Sequence, residues 1–132
     1  MAAPPMWSYS TVLTPEALSA SLARDFVSSH LLRHGLPDLL DAVRLVTSEL
    51  ATNAMLHAAT PFTLSLSRTD HSVLLVVADE SVEEPVQVQS GEMDVGGRGL
   101  AIVAEISRAW GVTGQDDAKS VWAAFDVIDQ GG

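Results

Sequence analysis

The sequence predicts one α+β domain over residues 1–132, a two-layer α/β sandwich with helices on one face of a mixed, mostly antiparallel sheet. Three observations favour this class. The length of 132 residues suits one domain with one hydrophobic core. Apolar residues recur at helical spacing in some segments and alternate along others. Two helical segments are followed by two adjacent strand-like segments, an order typical of helices packed on an antiparallel sheet.

The first half of the chain is expected to form a strand and two helices. The stretch WSYSTVL alternates and is rich in β-formers, which predicts a first strand. Thr14 and Pro15 suit the N-cap and the first position of a helix, and this helix should run to about Gly35, a residue that suits a helix end. Pro37 should begin a second helix that ends at about Ala58.

The second half is expected to form two hairpins around a third helix. The runs FTLSLSR and SVLLVVAD, separated by TDH, predict the first hairpin. Residues 80–96 lack periodicity, and a loop of this length in a small domain suggests a function such as a lid. RGLAIVAEISRAW predicts a helix, and GVTG with SVWAAFDV predicts a closing hairpin. Trp110 and Trp122 are expected to pack in the core of the sheet.

Composition excludes several classes of function. Seventeen acidic and seven basic residues give a net charge of −10, so a nucleic-acid partner is not expected. The absence of cysteine fits a reducing compartment. The N-terminal residues lack the pattern of a signal peptide, and no apolar run is long enough to span a membrane. We therefore expect a cytoplasmic protein without a membrane partner.

The second helix carries a polar pair at the edge of its apolar face. At roughly 100° per residue, four apolar residues form a core stripe: Val43, Val46, Leu50 and Ala54. Four polar residues should face water: Asp41, Arg44, Ser48 and Thr52. Glu49 and Asn53 project about 40° apart, between the core stripe and a second apolar edge formed by Leu45 and Leu56. They suit the polar floor of a cleft, and the alternative is a boundary pair hydrogen-bonded to a neighbouring loop.

Two further features are candidates for ligand binding. GGRGL places glycines directly before the third helix, where the backbone can approach a ligand and free N–H groups favour phosphate oxygens; such a loop can also be a plain connection. No Gly-Lys-Ser/Thr follows, so it is not a P-loop. Asp79 ends the most hydrophobic strand, where it could bind a ligand or cap the next turn.

Taken in order, Glu49 with Asn53, then Asp79, a long loop and GGRGL resemble the nucleotide-binding boxes of the GHKL (histidine-kinase-like) ATPase superfamily. The closer resemblance, over nearly the whole chain, is to the anti-sigma-factor serine/threonine kinase branch of small stand-alone bacterial regulators. LVTSELATNAMLHA looks like its N box, VVADES and GGRGLAIVAEISRAWGV like its two glycine-box regions, and KSVWAAFDV like its final strand. After Asp79 the sequence lacks the glycines of the wider superfamily's Asp-x-Gly-x-Gly.

The resemblance implies a Bergerat-type ATP-binding fold and a role for each matching residue. Glu49 would activate an attacking hydroxyl, and Asn53 would ligate the Mg²⁺ that accompanies ATP. Asp79 would accept a hydrogen bond from the adenine amino group, and Ser120 stands where many relatives have an adenine-contacting threonine. The remaining cofactor-binding positions are those of the second glycine box: Gly97, Arg98, Gly99 and Leu100.

The resemblance also implies a function in transcription regulation. A member of this branch phosphorylates a serine or threonine of a small STAS-type antagonist and alternates between that antagonist and a sigma factor. A homodimer could form where Trp7 lies on an edge strand. Two alternatives stay open: a nucleotide-binding partner switch without kinase activity, and a protein-interaction module whose pocket has decayed.

Overall fold

The computed structural model describes residues 4–57, 60–79, 97–115 and 118–127. Within these ranges the elements follow one another in this order: β1 (Trp7–Leu13), α1 (Leu18–Arg33), a 3-10 turn (Pro37–Leu39), α2 (Leu40–His57), β2 (Phe62–Arg68), β3 (Ser72–Asp79), α3 (Gly97–Ile106), β4 (Ala109–Gln115) and β5 (Ala118–Asp126). The helices cover one face of a five-stranded sheet, which confirms the predicted α+β sandwich. The loop predicted at residues 80–96 lies outside the described residues.

The sheet has the strand order β1-β2-β3-β5-β4. All of its described pairings are antiparallel, which agrees with the predicted mostly antiparallel sheet, and the described strands include no parallel pair. The β2–β3 hairpin closes as predicted, with the amide of Thr69 donating to the carbonyl of Ser72 over 2.9 Å. Because β3 pairs with β5, the two hairpins of the sequence join in the middle of one sheet.

Alternation along the strands separates a buried inner face from an outer face. Every second residue of β3 is buried, ending with Asp79, and in β2 the buried residues are Phe62, Leu64 and Leu66. These inner-face side chains pack against the helices to form the core. Phe62 lies opposite Asp79, and Asp79 lies opposite Lys119, so these three residues form one row across the sheet.

Helix α1 starts later than predicted and ends as predicted. It begins at Leu18 without a side-chain cap, and Thr14 instead accepts hydrogen bonds at its carbonyl from the amide of Glu16 and the hydroxyl of Ser19. The predicted N-cap role of Thr14 is therefore wrong, because residues 15–17 form a separate turn. Gly35 terminates the helix with φ at 70°, a backbone region that L side chains seldom adopt.

Helix α2 is entered through a 3-10 turn that starts at Pro37, and its core stripe is as predicted: Val43, Val46, Leu50 and Ala54 are all buried. The predicted solvent face is correct only in part. Arg44 donates to the hydroxyl of Ser28 over 2.6 Å, and Ser48 accepts from Arg24 over 3.0 Å. Two reciprocal arginine–serine contacts thus close the seam between α1 and α2.

The third helix is shorter than predicted. Helix α3 ends at Ile106, where the hydroxyl and the amide of Ser107 both donate to the carbonyl of Val103. The amide of Arg108 donates to the carbonyl of Ala124 over 2.8 Å, so the chain has already joined β5 at that point. The prediction that the helix continues to Trp110 is therefore wrong, because backbone pairing with β5 starts at Arg108.

The two tryptophans of the last hairpin lie on opposite faces of the sheet. Trp110 pairs with the buried Ala123 and packs against the core, as predicted. Trp122 pairs with Val76 and Gly111 on the outer face, where its indole ring lies across Gly111. The prediction of Trp122 in the core is wrong, because it lies an odd number of positions from the buried residues of β5.

An aromatic and histidine cluster joins the edge strand β1 to α1. The rings of Tyr9 and His30 are stacked with centroids 3.8 Å apart, and those of Trp7 and His34 with centroids 4.4 Å apart. The Tyr9 hydroxyl lies 2.8 Å from Nε2 of His34, and Phe26 meets His30 edge-on. Five rings therefore hold β1 against the C-terminal half of α1. None of the helices in the described ranges has the length and apolar character to cross a membrane.

Candidate functional site

Glu49 and Asn53 lie on one flank of the central helix. Helix α2 packs against α1 on one side and α3 on the other, and it also contacts β3 and β5. Arg44 and Ser48 occupy the α1 side, so Glu49 and Asn53, roughly 100° to 180° further round the helix, face the α3 side. Both residues are half-buried, as expected for the floor of a cleft.

The alternative interpretation of this pair, a boundary pair bonded to a neighbouring loop, involves residues such as 80–96 that lie outside the described ranges. Among the described residues, neither side chain has a hydrogen-bond or ion-pair partner. The second apolar edge of the prediction is open to solvent, since Leu45 is 41% and Leu56 63% exposed. Among the described residues the pair therefore lies between the core and the surface.

The glycine segment forms the first turn of α3. The helix begins at Gly97 itself, so the four residues predicted to line phosphates supply the backbone amides of its N-terminal turn. The first amides of a helix have no partner within the helix and favour anions. The other end of α3 precedes β4, which starts beside Ala124 at the end of the sheet remote from Asp79. The N-terminal turn of α3 is thus the part of the helix that lies farthest from the Ala124 end of the sheet.

Asp79 ends β3 on the inner face of the sheet and is only 4% exposed. Its partner in register on β2 is Phe62, which follows the end of α2 by a short connection. The C-terminal part of α2, which carries Asn53, and the end of β3 therefore lie toward the same end of the domain. This arrangement fits the predicted order of the site, and the role of Asp79 stays a prediction.

Ser120 is not brought to Asp79. Phe125 is buried on the inner face, and alternation along β5 places Lys119 on that face and Ser120 on the outer one. The register agrees, since Asp79 pairs with Lys119 and Ala78 pairs with Ser120. Sequence reasoning missed Lys119, although it is the only lysine of the chain and stands an even number of positions from the buried residues of its strand.

The donor atoms suit a hard cation accompanied by phosphates. A carboxylate and an amide oxygen on successive helix turns are ligands that Mg²⁺ accepts, and this ion needs only one or two protein oxygens when phosphates and waters complete its shell. Within the described ranges no group of three or more histidines and carboxylates is arranged to hold a metal ion by itself. Asn53 could ligate the ion with its amide oxygen, next to Glu49.

A cavity of about 540 Å³ lies elsewhere on the domain. It is bordered by the β2–β3 turn and by Arg108 and Asp126, which form an exposed ion pair of 3.0 Å. These residues are at the end of the sheet opposite Asp79, since Ser72 pairs with Asp126. The cavity is therefore separate from the candidate site.

Comparison with known proteins gives one family for this chain. A family model described as a histidine kinase-like ATPase domain matches residues 12–125. This range begins in β1 and ends in β5, so it contains the whole candidate site. No curated protein matches the chain.

Proposed function

Since the chain belongs to the histidine kinase-like ATPase domain family, we propose that it is an ATP-binding regulator that phosphorylates a small antagonist protein and exchanges that partner for a sigma factor. Family membership agrees with the predicted GHKL superfamily and implies nucleotide binding, usually with Mg²⁺. The kinase activity, the antagonist of STAS type and the sigma factor are our proposal.

One observation carries the nucleotide site. Glu49 and Asn53 stand on successive turns of α2, half-buried, and without partners among the described residues, on the flank that faces α3. In the proposed complex the amides at the start of α3 bind phosphate oxygens, and Asp79 accepts a hydrogen bond from the base. Mg²⁺, held by Asn53, would supply positive charge that offsets the charge of the phosphates.

The proposed chemistry needs little beyond positioning. Phosphoryl transfer requires an oriented hydroxyl and stabilised charge rather than covalent help from the protein. Glu49 lies one helix turn before Asn53, so its carboxylate can accept the proton of a serine or threonine hydroxyl that approaches the same flank. The acceptor hydroxyl would therefore approach along the α2–α3 side, from a protein bound over the outer surface of the helices.

A surface for protein partners is available on the helices. Five leucines are exposed on the side of α1 and α2 that faces away from the sheet: Leu18, Leu22, Leu32, Leu45 and Leu56. Exposed apolar side chains concentrated on one side of a small domain favour contact with another protein. Leu45 and Leu56 border Glu49 and Asn53, so a partner bound there would lie beside the nucleotide.

The test uses the purified protein, labelled ATP with Mg²⁺, and candidate antagonists captured from the native cell with and without ATP. Transfer of label to a serine or threonine of a captured antagonist is the expected result. ATP binding without transfer to any captured antagonist would favour the partner switch that lacks kinase activity. Absence of ATP·Mg²⁺ binding by calorimetry would favour the interaction module with a decayed pocket.

The partner surface has its own test. Leu22→Asp together with Leu32→Asp should abolish capture of partners while ATP binding stays unchanged, because both residues lie on α1, away from Glu49 and Asn53. Val12→Asp is the matched control, because Val12 is also an exposed apolar residue but lies on β1, away from the exposed side of the helices. Equal loss of capture in the control would contradict a partner surface on the helices.

A further inference from the structure

Lys119 brings a positive charge to the inner-face row that contains Asp79. The two residues are partners in the β3–β5 register, and directly opposed side chains of an antiparallel pair have Cβ atoms about 5 Å apart. Lys119 is half-buried, and it is the only lysine in a chain with a net charge of −10. The register therefore places the only lysine of the chain directly across from the carboxylate that the proposed function assigns to the base.

We propose that Lys119 is a specificity-determining residue of the nucleotide site, whose ammonium group lets the pocket accept guanine as well as adenine. This inference rests on the proposed nucleotide-binding function and deepens it, because it extends the substrate class from ATP to purine nucleotides in general.

The chemistry follows from the edges of the two bases. Adenine presents an amino donor at the position where guanine presents a carbonyl oxygen. A carboxylate alone can accept from adenine but would oppose the guanine oxygen with a second acceptor, which leaves both without a hydrogen bond. The ammonium group of Lys119 has three donors and no acceptor, so it can donate to the guanine oxygen. Asp79 on β3 and Lys119 opposite it on β5 would thus supply an acceptor and a donor to the base.

A purely structural role is the competing explanation. Opposite charges across two strands stabilise a sheet modestly, and Lys119 could serve only to pair with Asp79 between β3 and β5. The two explanations differ in what they predict for base selectivity. A structural pair would affect the stability of the domain and the affinity for both nucleotides alike, whereas a base contact would affect the affinity for GTP more than that for ATP.

The experiment measures the affinities of ATP·Mg²⁺ and GTP·Mg²⁺ by calorimetry for four proteins. These are the native chain, Lys119→Met, Lys119→Arg and the control Arg108→Met. The control removes one positive charge at the end of the sheet opposite Asp79, where Arg108 is exposed. Urea denaturation of each variant checks that the fold is retained.

The native protein should prefer ATP over GTP by less than about tenfold, and Lys119→Met should raise this preference by about tenfold or more through weaker GTP binding. Lys119→Arg and Arg108→Met should keep the native ratio. An unchanged ratio in Lys119→Met, or an equal loss for both nucleotides, would overturn the inference and leave the proposed function standing. If the native protein binds neither nucleotide, the proposed function itself fails and the role of Lys119 falls with it.

Discussion

The rings of Tyr9 and His30 are stacked almost in parallel, with centroids 3.8 Å apart and planes 12° from parallel. Nδ1 of His30 is buried and has no hydrogen-bond partner among the described residues. Burial, and then the charges of Arg33 and His34, lower the pKa of His30 below its ordinary value of 6.5. The contact between β1 and α1 therefore favours a neutral imidazole.

The first prediction is a loss of stability on mild acidification. The unfolded chain binds the His30 proton at a higher pH than the folded protein does, so stability is greatest above pH 6.5 and falls as the pH drops toward the folded-state pKa. Urea denaturation between about pH 5.5 and 8 measures this slope. His30→Phe keeps a ring against Tyr9 and should make stability less dependent on pH. His71→Gln, in the exposed β2–β3 turn, should leave the pH dependence of stability as it is in the native protein.

The second prediction separates chemistry from binding at the polar pair. Glu49→Gln keeps the shape of the side chain but removes the proton acceptor, so phosphate transfer should slow by about 10² to 10⁴ fold while ATP affinity changes only a few fold. Asn53→Ala removes a metal ligand and should weaken ATP binding in the presence of Mg²⁺. When Mg²⁺ is chelated, Asn53→Ala and the native protein should bind ATP with the same affinity. Native transfer rates in Glu49→Gln would exclude Glu49 as the base.

The third prediction concerns the buried carboxylate of β3. Asp79→Asn removes the charge from the acceptor of the adenine amino group and should weaken ATP binding by about 1 to 3 kcal/mol, or about 5- to 150-fold. Calorimetric titration measures this change. The same substitution should leave the affinity for inorganic triphosphate unchanged, because that ligand has no base. Equal losses for ATP and triphosphate would place the effect in the fold rather than at the base.

The fourth prediction tests the contact between β4 and β5. A Cβ atom at position 111 would lie 2.8 Å from the indole ring of Trp122, so Gly111→Ala must displace that ring and should destabilise the protein by about 1 to 3 kcal/mol. The same substitution in a Trp122→Leu background should cost less than half as much, because the obstructing ring is gone. Equal costs in both backgrounds, measured by urea denaturation, would refute the steric explanation.

The fifth prediction isolates backbone strain at the end of α1. Gly35 has φ at 70°, and nothing lies within 4 Å of the position that a Cβ would occupy. Gly35→Ala should therefore destabilise the protein by about 1 to 2 kcal/mol through the backbone alone. Gly35→Asn should cost less, since asparagine tolerates this conformation better. A stability unchanged by alanine would mean that the turn relaxes to a different conformation.

The sequence was sufficient for features that depend on local periodicity. The bounds of β1, β2 and β3 and the core stripe of α2 agree with the prediction, because alternation and helical spacing mark them directly. The roles of the candidate site residues stay predictions, since they rest on the resemblance of each box to a family pattern. The position of Glu49 and Asn53 at the edge of the core stripe was predicted from the same helical spacing.

Features that depend on tertiary contacts were not predictable. The start of β4 is set by pairing with β5, which no property of Arg108 or Ala109 signals. The faces of Ser120 and Trp122 depend on the parity of the strand register, and a shift of one residue exchanges every side chain between faces. The position of Arg44 in the seam depends on Ser28 of a different helix.

The pairing of β3 with β5 determines when the candidate site can assemble during folding. The β2–β3 hairpin joins neighbouring segments, whereas Asp79 meets Lys119 only after a long intervening stretch of chain has been closed into a loop. Closing such a long loop is slow relative to hairpin formation, because the intervening chain must lose conformational entropy before the strands begin to interact. We therefore expect nucleotide binding to appear with the slow phase of refolding, together with the joining of the two hairpins into one sheet. A nascent chain that still lacks β5 would already possess Glu49, Asn53 and Asp79, and we expect it to bind no nucleotide until β5 joins β3.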